Sequence, residues 1–126
     1  MDPKLKKHGV ISWSELTTSD VDAAKTFYGK LFGWSFEDMP MEGMTYTMAR
    51  ADGGEVAGIM TLPPEAGSMP PAWTTYVTVD DVDAAAKMAV ALGGQIFVPP
   101  QDIPEVGRFC VISDPQGAFI SMITYL

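Results

Sequence analysis

One stretch of the sequence occurs twice, as TSDVDAAK at Thr18–Lys25 and as VDDVDAAAK at Val79–Lys87. Asp20 of the first copy aligns with Asp81 of the second, an offset of 61 residues. Each copy follows a segment of β-strand character and leads into a helical pattern that ends on glycine. Self-similarity at a fixed spacing is the sequence signature of a repeated supersecondary unit. Two units are too few for a solenoid, so the sequence predicts a pair of modules that enclose one site.

The first copy lies in a βαβββ pattern. After a strand, apolar residues recur at helical spacing from Asp20, and Gly33 stands where a helix C-terminal glycine belongs. Asp52-Gly53-Gly54 is a strong hairpin signal between two later strands. The predicted elements of this module are a strand Val10–Leu16, a helix Asp20–Phe32, and strands Trp34–Glu37, Thr45–Arg50 and Val56–Leu62.

The second copy repeats this order after a proline-rich connector, residues 63–71. Asp114-Pro115-Gln116-Gly117 has the residues of a type I turn before the last strand. The predicted elements are a strand Trp73–Val79, a helix Asp81–Leu92, and strands Gln95–Val98, Arg108–Ser113 and Ala118–Tyr125. We therefore predict one α+β domain, residues 1–126, made of two tandem βαβββ modules at residues 9–62 and 72–126.

Composition excludes several classes of function. Sixteen acidic against eight basic residues give a net charge of −8, which disfavours binding to nucleic acid. No apolar run approaches the roughly 20 residues that span a bilayer, so we expect no membrane association. Cys110 is the single cysteine, which excludes an internal disulfide. The charged N-terminus has no apolar segment typical of a signal peptide, and a cytoplasmic protein is expected.

The tandem modules resemble the vicinal oxygen chelate superfamily of glyoxalase I, bleomycin-resistance proteins and extradiol dioxygenases. The residues that carry the resemblance are Asp20 with AKTFY at Ala24–Tyr28, LFGW at Leu31–Trp34, and DPQG at Asp114–Gly117. The resemblance covers the chain from Gly9 onward. It implies a curved, barrel-like mixed sheet with the helices outside and a ligand in the trough between the two modules.

The resemblance also implies where a metal would be held. Metal-dependent members carry ligands on the first and last strand of each module, at fixed distances from the aspartates. In this chain those positions hold Trp13, Thr74, Ser121, and one of Gly58, Ile59 or Met60. None of these offers the imidazole or carboxylate donors that divalent cations prefer. We therefore expect no metal or other cofactor. His8, the single histidine, excludes a two-histidine dioxygenase site and is expected in a solvated tail.

Strand alternation predicts which side chains line the trough, because residues two apart share a face. The predicted ligand-binding face is aromatic and hydroxylic with one acid: Trp13, Glu15, Thr74, Tyr76, Phe119 and Ser121. Opposite-parity residues such as Leu16, Val79 and Met122 should pack beneath the helices. A carboxylate at position 15 walled by aromatic rings is a candidate general base or cation anchor. Alternatively, Glu15 only accepts hydrogen bonds from nearby backbone or Tyr hydroxyl groups.

For other candidate residues a structural role is an alternative to a functional one. Tyr46 lies on a middle strand and is a further candidate lining residue. Arg108 could pair with an anionic ligand group, or instead form a surface ion pair with Asp102 or Glu105. Cys110 is expected to be a small buried residue and not a nucleophile.

Two classes of function fit these residues. The first is a metal-free binding protein for a small aromatic or cationic molecule, in the manner of bleomycin-resistance proteins. The second is a glyoxalase-type lyase or isomerase, either metal-dependent or metal-free with Glu15 as the base. Because some members of this superfamily pair modules across a dimer interface, a homodimer is also expected.

Overall fold

The computed structural model describes residues 2–41, 43–62 and 69–126, so most of the predicted connector lies outside the described residues. A short 3-10 helix at Pro3–Lys6 precedes eight strands and two α-helices, which confirms the predicted α+β class. In chain order the elements are β1 Ile11–Thr18, α1 Val21–Phe32, β2 Ser35–Met41, β3 Met44–Ala51, β4 Gly54–Thr61, β5 Ala72–Thr78, α2 Val82–Ala91, β6 Gln95–Ile103, β7 Gly107–Ser113 and β8 Phe119–Tyr125.

The repeated stretch forms the same local structure twice. The Asp20 carboxylate caps α1 by accepting from the backbone N–H of Ala23, and Asp81 caps α2 by accepting from Asp83 and Ala84. A carboxylate at this position satisfies N–H groups that the helix itself leaves unpaired and complements the helix dipole. Gly33 ends α1 in the left-handed region at φ 73°, where glycine is favoured. The repeat is therefore a pair of capped helix starts.

Residues Trp13–Thr74 form one compact unit. Its strands lie in the order β2-β3-β4-β1, with β1 and β4 parallel and the other neighbours antiparallel. Helix α1 covers one face, where Leu16 of β1, Ala24 of α1 and Ile59 of β4 form the buried core. Leu16 thus points toward the helix, as the strand alternation predicts, and its neighbours in sequence belong to the other face.

The second compact unit combines residues up to Ser12 with Thr75–Leu126. Its strands lie in the order β5-β8-β7-β6, with β5 and β8 parallel. The core beneath α2 contains the predicted inward residues Val79 and Met122 together with Cys110. The N-terminal segment joins this unit because the backbone around Val10 exchanges hydrogen bonds with Thr78. No helix in the described part of the chain is long and apolar enough to cross a membrane.

Two strands are longer than the sequence indicates. Strand β2 continues through Pro40 to Met41, and β6 continues through Pro99 and Pro100 to Ile103. Prolines argue against a central strand because they cannot donate to a neighbour, but an edge strand tolerates them. Both strands lie at the outer end of their unit's strand order, and the register of β6 shifts on either side of Val98.

The buried thiol gives a first prediction. Cys110 has no solvent exposure, and burial raises the pKa of its thiol. We expect the folded protein to react with a thiol reagent at pH 8 on the order of a hundredfold more slowly than the protein unfolded in guanidinium, because reaction requires opening of the core. Stoichiometric labelling of the folded protein at the rate of the unfolded chain would contradict this placement.

Candidate functional site

Three adjacent strands of the Trp13–Thr74 unit bring the site together. Glu15 on β1 lies opposite Gly58 on β4 in the register of the parallel pair. Met48 on β3 lies opposite the same glycine from the other side. Tyr46, two residues before Met48, therefore has its side chain on the face of the sheet that Gly58 shares with Glu15.

The side chain of Tyr46 crosses Gly58 and joins two residues of β1. The indole Nε1–H of Trp13 donates to the Tyr46 hydroxyl at 2.9 Å, and this hydroxyl donates to Oε2 of Glu15 at 2.7 Å. The direction of the first bond is fixed because an indole nitrogen can only donate, and that of the second because an ionised carboxylate can only accept. The Tyr46 oxygen therefore accepts from Trp13 and donates its own proton to Glu15. The result is an ordered chain of donors that ends on a carboxylate.

Gly58 makes this crossing sterically feasible. A Cβ built at position 58 would collide with the hydroxyl oxygen and with the neighbouring ring carbons of Tyr46. The backbone of β4 is therefore in direct contact with the phenol, and close approach of this kind is one of the reasons for a glycine inside a strand. The sequence offered Gly58 only as an unsuitable metal ligand. Gly58 leaves space for the Tyr46 phenol only because three strands pair in this register. A local sequence pattern does not show that pairing.

The three residues Trp13, Tyr46 and Glu15, which we call the Trp13–Tyr46–Glu15 cluster, differ in their solvent exposure. Glu15 is only 8% exposed, whereas Trp13 and Tyr46 are half-buried. A buried carboxylate is costly unless it is hydrogen-bonded, and the Tyr46 hydroxyl supplies such a bond. The alternative in which Glu15 accepts from a tyrosine hydroxyl is thus observed, and it does not exclude a functional role. The cluster places negative charge beneath two aromatic side chains that solvent can reach.

The remaining predicted lining residues lie on β5 and β8. Thr74 is half-buried on β5. In the second unit, buried Tyr76 pairs in register with buried Ser121 across the parallel β5–β8 ladder. Phe119, at the start of β8, is 49% exposed and contacts the ring of Phe97 at 5.1 Å between centroids.

Arg108 forms ion pairs on the surface of the second unit. Its guanidinium donates to both carboxylate oxygens of Asp83 at 2.9 and 3.1 Å and to Asp102 at 3.1 Å. The pair with Asp102 was the structural alternative for this residue, whereas Asp83, in the first turn of α2, is distant in sequence. These bonds raise the pKa of Arg108 and lower the pKa of Asp83.

His8 also has a structural partner. Its Nδ1 accepts from the backbone N–H of Asp80 at 3.0 Å, and the ring is largely exposed. Among residues 2–41, 43–62 and 69–126, no group of three or more His, Cys, Asp or Glu side chains is placed to hold a metal ion. At the superfamily's ligand positions in the first unit, Trp13 offers no donor atom for a metal, and the space above Gly58 is filled by Tyr46. This donor set does not fit a divalent cation.

Comparison with known proteins shows the family of this chain. Residues 10–122 match the family model of the Glyoxalase/Bleomycin resistance protein/Dioxygenase superfamily. The chain belongs to this superfamily. The vicinal oxygen chelate resemblance is thereby confirmed for nearly the whole chain.

Individual relatives have diverse names. A putative glyoxylase, CFP32 of Mycobacterium bovis, is 44% identical over 119 residues, which cover 92% of this chain and 46% of that protein. The anthracycline biosynthesis protein DnrV of Streptomyces peucetius is 34% identical, over 87% of this chain and 45% of that protein. The chain thus spans less than half the length of these relatives. Methylmalonyl-CoA epimerase from Mycobacterium tuberculosis shares the fold, with a TM-score of 0.61, 14% identity and coverage of 93% and 90% of the two chains.

The contact between Tyr46 and Gly58 gives a second prediction. In Gly58→Ala the new methyl group must displace the phenol, so we expect the free energy of unfolding to fall by about 1–3 kcal/mol, measured by chemical denaturation. In a Tyr46→Ala background the three closest clashing atoms are gone, so we expect the same substitution to cost less than about 0.5 kcal/mol.

Gly54→Ala is the matched control for this experiment. Gly54 lies on the same strand, and a Cβ there meets only the Ala51 carbonyl oxygen at 3.7 Å, an ordinary contact. We expect this variant to retain the wild-type stability within about 0.5 kcal/mol. Equal costs of Gly58→Ala with and without the Tyr46 side chain would show that the phenol does not occupy this space.

The ion pair between Arg108 and Asp83 gives a third prediction. Because its folded-state pKa is lowered from 3.8, Asp83 contributes stability that is present above pH 3.8 and is lost as the pH falls through the folded-state pKa. We expect Arg108→Met to be less stable than wild type at pH 7, with the difference shrinking below pH 3.8. Denaturation at a series of pH values measures this difference, and a gap that persists unchanged to pH 2 would contradict it.

Proposed function

We propose that this chain binds a flat, positively charged aromatic molecule at the Trp13–Tyr46–Glu15 cluster. The observation that carries the proposal is the donor chain from the Trp13 indole through the Tyr46 hydroxyl to the Glu15 carboxylate. Two aromatic side chains and one carboxylate on a single sheet face are the combination that recognises an aromatic cation.

The geometry of the cluster favours a ligand that is both aromatic and positively charged. The two half-buried rings offer apolar surface on which a flat ligand can stack, and burial of the carboxylate below them reduces the screening of its charge by water. Because the Tyr46 hydroxyl donates its proton to Glu15, the phenol holds the carboxylate in position. A cation that approaches the rings would therefore meet a fixed negative charge.

The net charge of the chain supports a cationic ligand. A net charge of −8 attracts cations over long range and raises their concentration near the surface. The same charge disfavours phosphate-rich partners such as nucleic acids. The name of the relative DnrV connects it with anthracyclines, which are flat fused-ring aromatic compounds, and this likeness supports an aromatic ligand here.

A second candidate function is that of a glyoxalase-type lyase or isomerase. It is favoured by the 44% identity to a putative glyoxylase and by the burial of Glu15, which suits a general base. In this case Glu15 would remove a proton from a carbon acid, and Tyr46 would stay hydrogen-bonded to the carboxylate. Because the donor set does not fit a metal, we derive this alternative without one.

Binding is tested with proflavine, a flat aromatic cation, and with anthracene-2-carboxylate, a flat anion of similar size. We expect proflavine to bind more tightly in a fluorescence titration. Glu15→Gln should weaken proflavine binding at least about tenfold, equivalent to about 1.4 kcal/mol, while the anion changes little. Tyr46→Phe keeps the ring and removes the bond to Glu15, and should weaken binding by a smaller factor.

Glu55→Gln is the matched control, because it removes the same charge from an exposed position on β4. Equal effects of Glu55→Gln and Glu15→Gln would show that only the overall charge matters and would contradict the assigned site. Turnover of methylglyoxal with glutathione, abolished in Glu15→Gln and retained in Glu55→Gln, would favour the lyase alternative instead.

A further inference from the structure

Methionine side chains lie beside the Trp13–Tyr46–Glu15 cluster on its face of the sheet. Met48 lies opposite Gly58 in the β3–β4 register, and Met60 follows Gly58 by two residues on β4. Residues that lie opposite each other, or two apart on one strand, share a face of the sheet. This rule places every methionine of strands β1–β4 on the face of the cluster, and we call the five side chains the methionine face: Met39, Met41, Met44, Met48 and Met60.

The opposite face of these four described strands packs against α1 and has no methionine. Leu16 and Ile59 form the core with α1 on that side. Methionines that filled gaps in this core would lie there as well. Met39 and Met44 are instead 42% and 36% exposed, and the other three are half-buried. The methionines of β1–β4 therefore form part of a surface and not of the core.

Methionine gives an apolar surface a flexibility that branched residues lack. Its side chain is unbranched, has three rotatable bonds and carries a polarisable thioether, so it adapts its shape and makes favourable contacts with aromatic rings. Proteins that bind several different partners often use methionine-rich surfaces that repack around each of them. Isoleucine is similar in size, but its branch at Cβ restricts its conformations.

The position of Glu15 indicates what covers the methionine face. Gly58 pairs with Glu15 on one side and with Met48 on the other, so the carboxylate and the nearest methionine are two strands apart. Neighbouring strands are separated by about 4.8 Å, which places these two residues about 10 Å apart. Three fused aromatic rings span a comparable length. A cation of this size that pairs with Glu15 and stacks on Tyr46 therefore reaches the methionines.

We propose that the methionine face holds the apolar body of the cation that binds at Glu15, and that its side chains repack to accept ring systems of different outline. The inference rests on the proposed function, because it takes Glu15 as the anchor of the positive group. It makes the ligand a class of aromatic cations of varied shape instead of a single compound.

Three dyes with one positive charge each and different outlines test the proposal. Proflavine is linear, ethidium is angular with a phenyl ring turned out of its plane, and crystal violet is a three-bladed propeller. We expect the wild-type dissociation constants of the three dyes, measured by isothermal titration calorimetry, to lie within about tenfold of one another.

Met48→Ile combined with Met60→Ile removes flexibility and keeps apolar side chains of similar volume. Isoleucine is favoured in strands, so this variant should fold, which chemical denaturation checks. We expect the three dissociation constants to spread over at least about thirtyfold, because stiff side chains fit one outline better than the others.

Met88→Ile is the matched control, because Met88 is 63% exposed on α2 and lies outside the methionine face. We expect it to change each dissociation constant by less than about twofold. A spread that stays within tenfold in the Met48 and Met60 variant, with binding still weakened by Glu15→Gln, would overturn the role of the methionine face and leave the proposed function intact. Binding of all three dyes that is insensitive to Glu15→Gln would contradict the proposed function, and this inference with it.

Methyl resonances of the methionines provide a second readout that needs no altered binding surface. In protein labelled with ¹³C at the methionine methyl groups, each dye should shift the signals of Met48 and Met60 and leave that of Met88 in place. The single isoleucine variants assign these signals by their loss. Unshifted Met48 and Met60 signals at saturating dye would overturn the proposal.

Discussion

The side chain of Tyr46 lies across the backbone of Gly58, and the candidate site depends on this contact. It holds the phenol between a donor that cannot accept, the Trp13 indole, and an acceptor, the Glu15 carboxylate. The three strands β3, β4 and β1 have to pair in their observed register for this bridge to form. The core beneath α1 and the site on the opposite face are thus linked through the same three strands.

The duplication produced two similar scaffolds that carry different chemistry. At the offset of 61 residues, Thr74 and Tyr76 stand where the first module has Trp13 and Glu15. The aspartate caps are alike in both helices, whereas the aromatic rings of Phe27, Tyr28 and Phe32 in α1 have no aromatic counterpart in α2. The shared features support the fold, and the distinct ones include the residues of the candidate site.

Those features of the fold that depend on local patterns can be predicted from the sequence alone. Capped helices, the order of the elements and the inward direction of Leu16, Val79 and Met122 follow from spacing and alternation, and the structure agrees with them. The extents of β2 and β6 were underestimated because proline reads as a strand terminator unless the strand is known to lie at an edge. Tyr46 was a candidate without an anchored face. Gly58 gained a role only through a partner 12 residues away on a neighbouring strand, and such a contact has no local signature.

The hydrogen bond between Trp13 and Tyr46 is the most direct test of this account. The chain has three tryptophans, and two of their indole N–H groups donate to tyrosine hydroxyls, Trp13 to Tyr46 and Trp73 to Tyr28. In a ¹⁵N–¹H correlation spectrum, Tyr46→Phe should shift the Trp13 indole resonance upfield and leave that of Trp73 in place, while Tyr28→Phe should do the reverse. An unchanged Trp13 resonance in Tyr46→Phe would contradict the bridge across Gly58.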